Sequence, residues 1–313
     1  MRTWLVTGGC GFIGSHLVDF LLARGDAVRV LDDLSTGRRE NLDPRAELLV
    51  GDVADAQLVA RAMEGVDGCF HLAAVASVQR GNEDWLGTHR TNLTGTIAVL
   101  DTARARGDGR ARPVVYASSA AVLGDNPAVP LSETAETRPL SAYGADKLGC
   151  EQHARVAWTV HGVPSVGFRF FNVYGPGQDP KSPYSGVIAI FADRAATGQP
   201  LRIDGDGGQT RDFVYVGDVV RHLAAGMDSC SSGAAVYNVC TGRPTTILEL
   251  AQVIRRLAGS GAPLVHAEAR AGDIRISYGD PARATAAFGI RAETRIEEGL
   301  RLTLASLPQP AGA

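Results

Sequence analysis

Apolar residues in this chain fall into short runs, each followed by glycine, aspartate or small side chains. The runs at 4–6, 27–31, 46–50, 68–72, 113–117 and 164–170 read as buried strands. Amphipathic stretches from 12 to 22, 55–64, 84–106 and from 142 onward read as helices, with Gly25 as a stop for the first. Strand and helix alternate throughout 1–170, which predicts an α/β fold, a Rossmann-type doubly wound parallel sheet. The texture changes after 171. A proline- and glycine-rich loop covers 174–184. It leads to a helix (186–197), a strand (200–203), a polar loop (204–212), a strand (213–216), a helix (217–228), a strand (235–239) and helices at 246–258 and 296–306. This predicts a smaller, discontinuous C-terminal α/β domain over 171–313. Segments near 213–258 are expected to return to the sheet of the first domain.

The first strand runs into Thr7-Gly8-Gly9-Cys10-Gly11-Phe12-Ile13-Gly14-Ser15-His16. Glycines at 8, 11 and 14 at a strand-to-helix turn let backbone N–H groups, with Phe12 and Ile13 among them, approach a pyrophosphate at a helix N-terminus. A tight βα turn with no ligand would use the same glycines; the strand before and the helix after favour the ligand. Asp32 closes the second strand, where a dinucleotide fold binds adenosine ribose hydroxyls. Its charge would repel a 2′-phosphate and so selects NAD over NADP, although Arg38 and Arg39 stand nearby. A cap or turn role is the alternative for Asp32. After the third strand come Asp52, a candidate for the adenine amino group or an ordinary turn aspartate, and Val53. The small run beginning at Ala73 lets a cofactor lie against backbone, or simply packs helix on sheet. Asn92 sits within the predicted helix 84–106.

Composition narrows the field further. The 313 residues carry a net charge of -3, which argues against nucleic acid as a partner. The basic run 104–112 reads as a solvated loop. No apolar run approaches the ~20 residues of a membrane span. Five cysteines without C-x-x-C spacing give no metal site and suit a reducing compartment. A first strand beginning near residue 3 leaves no room for a signal peptide, so a cytoplasmic protein is expected.

Tyr143 and Lys147 are four apart on a predicted helix and share a face. A tyrosine is a poor base in neutral water, but a neighbouring ammonium stabilises its phenolate. The preceding strand ends in Ser118-Ser119, whose hydroxyls can hydrogen-bond the same substrate hydroxyl. Together these residues resemble the extended short-chain dehydrogenase/reductase superfamily, and more closely its nucleotide-sugar epimerases of the UDP-galactose 4-epimerase type. The resemblance spans nearly the whole chain and includes Asp33-Leu-Ser-Thr-Gly37, Asn92-Leu-Thr-Gly-Thr96, Phe171-Asn172-Val-Tyr-Gly-Pro176, Gly205-Asp-Gly207, Arg211-Asp212-Phe213 and Arg270-Ala-Gly-Asp273.

The resemblance implies Ser119, Tyr143 and Lys147 as the catalytic set, with Lys147 also on the nicotinamide ribose. It implies Asn172, Arg211 and Arg270 on the nucleotide phosphates and Asp273 on the nucleoside ribose. Leu123 departs from the family, which usually has tyrosine before that glycine. Ala120-Ala121 lack the acids carried there by related sugar dehydratases and decarboxylases, which points to 4-epimerisation of a UDP-hexose. Ser277, four residues after the Arg-x-Gly-Asp aspartate, stands where a small residue admits N-acetyl sugars, and the segment around Ser77 resembles epimerases of such sugars. Acceptance of UDP-N-acetylglucosamine and its galacto epimer is therefore expected, as is a homodimer through the helices near 84–106 and 142–161. A uronate 4-epimerase using Arg80, another nucleotide-sugar epimerase or dehydratase, and a non-catalytic NAD-binding regulator are the alternatives.

Overall fold

The computed structural model describes residues 1–105, 109–180, 186–270 and 272–307. Parts of the basic run 104–112, of the loop 174–184 and of the Arg270–Asp273 motif lie outside the described residues. The strands are β1 (Thr3–Thr7), β2 (Ala27–Asp32), β3 (Glu47–Val50), β4 (Gly68–His71), β5 (Val114–Ser119), β6 (Ser165–Phe170), β7 (Asn172–Tyr174), β8 (Leu201–Asp204), β9 (Thr210–Tyr215), β10 (Ala234–Val239), β11 (Pro244–Thr246), β12 (Leu264–Ala267) and β13 (Ile276–Ser277). The helices are α1 (Phe12–Ala23), α2 (Ala56–Ala62), α3 (Val78–Glu83), α4 (Trp85–His89), α5 (Gly95–Thr102), α6 (Ala142–His161), α7 (Val187–Ala196), α8 (Val216–Ser229), α9 (Ile247–Leu257), α10 (Ala282–Phe288) and α11 (Ile296–Ala305).

A parallel seven-stranded sheet in the order β10-β6-β5-β4-β1-β2-β3 forms the centre. The order reverses between β1 and β4, and ligands of such sheets bind at that switch point, outside the carboxyl ends of the strands. The register aligns those ends: Thr7 pairs with Leu31 and His71, and Ser119 with Phe170. Two apolar layers cover the sheet. Leu17, Val18 and Leu21 of α1 pack with Val219, Val220 and Leu223 of α8 on one face. Val59, Val99, Leu100 and Ala154 cover the other. The central strands are apolar on both faces because both faces are covered.

The later segments build two small sheets, β11-β9-β13 with β7 beside β9, and β12-β8, over a separate apolar cluster of Phe191, Leu201, Ile203, Leu250, Ile254 and Leu300. The segment holding β10 returns to the edge of the large sheet beside β6. Among the described residues no helix is long and apolar enough to cross a membrane.

The predicted helix 84–106 is interrupted. Asp84 ends α3 and caps α4, its side chain accepting from the Gly87 N–H. Residues Arg90–Thr94 are π-helical. The Asn92 carbonyl there accepts from Thr96 Oγ1 at 2.6 Å and from Cys150 Sγ at 3.4 Å, so side chains replace the backbone donor that the wide turn gives up. The helix then ends at Thr102. Likewise β9 begins at Thr210, inside the stretch read as a loop.

Candidate functional site

The glycine turn lies between β1 and α1, against the end of β4. Gly8 has φ +71°, and a Cβ there would stand 2.7 Å from the Ala73 backbone nitrogen. A Cβ on Gly14 would run into the Gly8 carbonyl. The turn and the start of α1 are thus stripped to backbone where the chain passes closest to itself. No side chain caps α1, whose N-cap is Gly11 and whose first turn holds no acid. A bare helix N-terminus at a switch point fits a pyrophosphate.

Asp32 ends β2 at 7% exposure. Its carboxylate accepts the N–H groups of Cys10 and Leu34, both at 2.9 Å. Burial raises its pKa and those two donors oppose the rise. Each oxygen keeps a lone pair for a ribose hydroxyl. Burial, and next the charge of Asp32, push the Cys10 thiol up to about 11, so it is an inert packing group. Asp52 accepts from the Ala54 N–H at 2.8 Å as a turn residue and also pairs with Arg90 at 2.9 Å. Val53 is buried against Gly95. Asn92 is fully buried and clamps Val75 through both amide atoms, at 2.8 and 3.2 Å. These residues fit NAD: a side-chain-free cradle for the diphosphate and an acceptor-only carboxylate for the ribose.

The proposed catalytic set gathers at the end of β5. Ser119 caps the 3₁₀ turn Ala120–Val122 by accepting the Ala121 N–H at 3.1 Å. The N-terminus of α6, capped by Ser141, rests on that turn. A Cβ on Gly144 would stand 2.7 Å from the Ala121 carbonyl oxygen. This close approach brings Tyr143 beside the turn that Ser119 opens. Lys147 is 3% exposed; its ammonium donates to the Ala117 carbonyl at 2.9 Å and lies 5.9 Å from the centre of the Tyr143 ring. Ser77 is buried and caps α3, and a Cβ on Gly81 of that helix would stand 3.5 Å from the Tyr143 backbone nitrogen.

A second group forms on β9. Arg211 pairs in register with Ser277 of β13. Its guanidinium meets Asp273 and donates to the Ile274 carbonyl at 2.7 Å. Burial lowers the Arg211 pKa and Asp273 opposes the fall. Asn172 of β7 pairs with Phe213, two residues along β9 from Arg211, and is exposed. Arg270 is drawn elsewhere: it is largely exposed and bonds Asp204 at 2.5 Å. Among the described residues no cluster of His, Cys, Asp or Glu is arranged to hold a metal.

Two buried systems went unseen in the sequence. Ser118 donates to Glu151 at 2.6 Å, and Glu151 holds Arg169 through two bonds of 2.8 and 2.9 Å. His71 joins Thr7 to Thr96. The available signal was an ionisable side chain inside an otherwise apolar strand, Arg169 in β6 and His71 in β4.

Comparison with known proteins agrees with this geometry. The family described as NAD dependent epimerase/dehydratase matches residues 4–240. A UDP-glucose 4-epimerase of Mycolicibacterium smegmatis is 38% identical over 312 residues, covering 97% of each chain. The structure of the Thermotoga maritima UDP-glucose 4-epimerase with UDP-glucose superposes with a TM-score of 0.92 at 35% identity, covering 97% of this chain and 98% of that one. The Methanobrevibacter ruminantium UDP-N-acetylglucosamine 4-epimerase, in complex with UDP-N-acetylmuramic acid, gives 0.91 at 33% identity and 97% of both chains.

Proposed function

This chain belongs to the NAD dependent epimerase/dehydratase family, with NAD as its cofactor, and we propose that it is a UDP-hexose 4-epimerase that also accepts UDP-N-acetylhexosamines. The observation that carries the proposal is the turn after β5. The helix carrying Tyr143 and Lys147 packs on the turn that Ser119 caps, and the residues after the serine are Ala120 and Ala121, with no acid for dehydration.

In this reading the backbone around Gly8, Gly11, Phe12, Ile13 and Gly14 holds the cofactor diphosphate. Asp32 holds the adenosine ribose, and Asp52, Val53, Ala73 and Asn92 line the rest of the slot. NAD held there would supply the hydride acceptor, and then the hydride donor, for the sugar C4. Tyr143 as phenolate removes the 4-OH proton, and the Ser119 hydroxyl shares that hydrogen bond. The Lys147 ammonium, desolvated beside the tyrosine ring, supports the phenolate and reaches the nicotinamide ribose. Asn172, Arg211 and Arg270 anchor the UDP phosphates and Asp273 the uridine ribose, so the 4-keto sugar can turn about its phosphate linkage and the proton is returned on the other face. Arg270 must leave Asp204 to take part, and Asp204, 13% exposed, then keeps Arg202 at 3.0 Å as its partner.

Residues 1–170 with β10 would form the NAD-binding domain, and the small sheets the discontinuous sugar domain over 171–313. Trp85 and Leu86 of α4 and Val156 and Val160 of α6 are exposed on adjoining helices, which supports a homodimer through that face. Five buried free cysteines suit a cytoplasmic setting.

The test is a panel of UDP-, dTDP- and GDP-sugars with products separated by chromatography. UDP-glucose and UDP-N-acetylglucosamine should be epimerised, and Tyr143→Phe should reduce both rates at least a hundredfold. Ser277→Tyr should abolish the N-acetyl activity selectively. A Tyr143→Phe enzyme of near wild-type rate would refute the catalytic assignment; equal loss on both sugars in Ser277→Tyr would refute the pocket assignment.

A further inference from the structure

A closed ring of hydrogen bonds holds residues 72–75, a segment whose backbone a Cβ on Gly8 would meet at 2.7 Å. Thr7 Oγ1 accepts the N–H groups of Leu72 and Ala73, both at 3.2 Å, and lies 2.8 Å from His71 Nδ1. On the other side of the ring His71 Nε2 lies 3.0 Å from Thr96 Oγ1. Thr96 Oγ1 in turn donates to the Asn92 carbonyl at 2.6 Å. The Asn92 side chain returns to the segment at Val75, accepting its N–H and donating to its carbonyl. Thr7, His71, Asn92 and Thr96 are at most 3% exposed.

Counting hydrogens fixes the protonation of the ring. The Asn92 carbonyl only accepts; Cys150 Sγ reaches it at 3.4 Å, but the Thr96 hydroxyl at 2.6 Å is its short donor, so the single Thr96 hydrogen goes there and His71 Nε2 carries the hydrogen it gives to Thr96. Thr7 already accepts twice, so its own hydrogen goes to His71 Nδ1. His71 is therefore neutral, protonated on Nε2 alone. Burial, and after it the charge of Lys147, hold its pKa down to about 3, in agreement with that assignment.

We propose that His71, acting with Thr96, is a positioning residue for the cofactor cradle. It locks the glycine turn to the π-helical segment and so sets the place of the backbone from Leu72 to Val75. A chain that held this segment only at Thr7, or only at Asn92, would leave one end free to move against the turn. His71 acts through Thr7 and Asn92. The proposal rests on the cofactor assignment above, and the test separates the two.

Selectively ¹⁵N-labelled histidine in the wild-type protein should show one neutral Nε2–H ring that does not titrate between pH 6 and 9, assigned by its loss in His71→Gln. If the ring lost in His71→Gln is instead the Nδ1–H tautomer, or gains a proton in that range, the ring assignment is overturned whether or not the chain binds NAD; His222, whose Nδ1 donates to the Asp218 carbonyl, gives an Nδ1–H ring of its own. In Thr96→Val, NAD should dissociate at least tenfold faster and kcat should fall at least tenfold, while KM for the UDP-sugar and affinity for UMP stay within twofold. His71→Gln, which keeps a donor toward Thr96, should recover most of the NAD retention lost in His71→Leu. NAD release and kcat within twofold of wild type in Thr96→Val would overturn the positioning role, and UMP binding lost together with NAD would count as general unfolding and also against it. Should Thr96→Val not yield soluble protein, His71→Leu decides: NAD release and kcat within twofold of wild type there would overturn the positioning role.

Discussion

Arg169→Met would leave the Glu151 carboxylate, midway along α6, buried without its cation. The wild-type side chains are each 6% exposed and meet through two hydrogen bonds, with Ser118 Oγ as a further donor to Glu151. Arg169 also donates to the Glu133 carbonyl at 3.2 Å. Removing one partner of such a pair costs about 3–5 kcal/mol, because an uncompensated charge remains. Replacing both by apolar groups of similar volume is often near neutral. Glu151→Leu/Arg169→Met still orphans the Ser118 hydroxyl, worth about 1–3 kcal/mol, so the double variant should be more stable than Arg169→Met alone. The assay is urea denaturation followed by tryptophan fluorescence at one protein concentration with NAD saturating. A single variant within about 1 kcal/mol of wild type, well short of the range for a broken buried pair, would refute the reasoning. So would a double variant as unstable as the sum of the two singles.

Gly14→Ala should lower NAD affinity at least tenfold, measured by cofactor content after gel filtration, because the new methyl meets the Gly8 carbonyl and the turn must shift. Stability should fall as pH drops from about 6.5 toward 3: the unfolded chain protonates His71 near the ordinary histidine value, while the folded chain holds it neutral to about 3. At about 1.36 kcal/mol per unit the upper bound is about 5 kcal/mol. His222, also lowered by burial, adds to the slope, and His71→Gln should remove up to one proton from it in denaturation across pH 4–7. An unchanged slope would contradict a neutral buried His71. If the proposed homodimer forms through α4 and α6, Leu86→Glu, at a position 84% exposed in the single chain, should shift sedimentation from dimer to monomer; a wild-type monomer or an unaltered dimer would refute that interface.

The cradle was readable because its signals are local. A buried strand, three glycines and a helix lie within twenty residues, and Asp32 closes the next strand. That Tyr143 and Lys147 share a helix and face each other followed from their spacing, whereas their pairing with Ser119 drew on the preceding strand and the family resemblance. The break at 84 and the π-helical turn were not. They depend on Thr96 and Cys150 reaching the Asn92 carbonyl, and Cys150 comes from a helix fifty-eight residues away. Strands β7, β11 and β13 are two or three residues long, too short for alternation to show, and are held by β9. The buried pair of Glu151 and Arg169 joins two elements whose contact no periodicity reveals. The attachment of Arg270 to Asp204 is likewise a tertiary fact, since nothing in the Arg270–Asp273 motif points to β8.

The central claim is that the sugar loses and regains hydrogen at C4 within one site. UDP-glucose and UDP-N-acetylglucosamine deuterated at C4 should be incubated with the NAD-loaded enzyme and the products examined by mass spectrometry and proton NMR. The account predicts that the C4 epimer forms with its deuterium retained at C4 and that turnover is slower than with the protium substrate. Loss of the deuterium to water, or a product whose C4 configuration is unchanged, would contradict it.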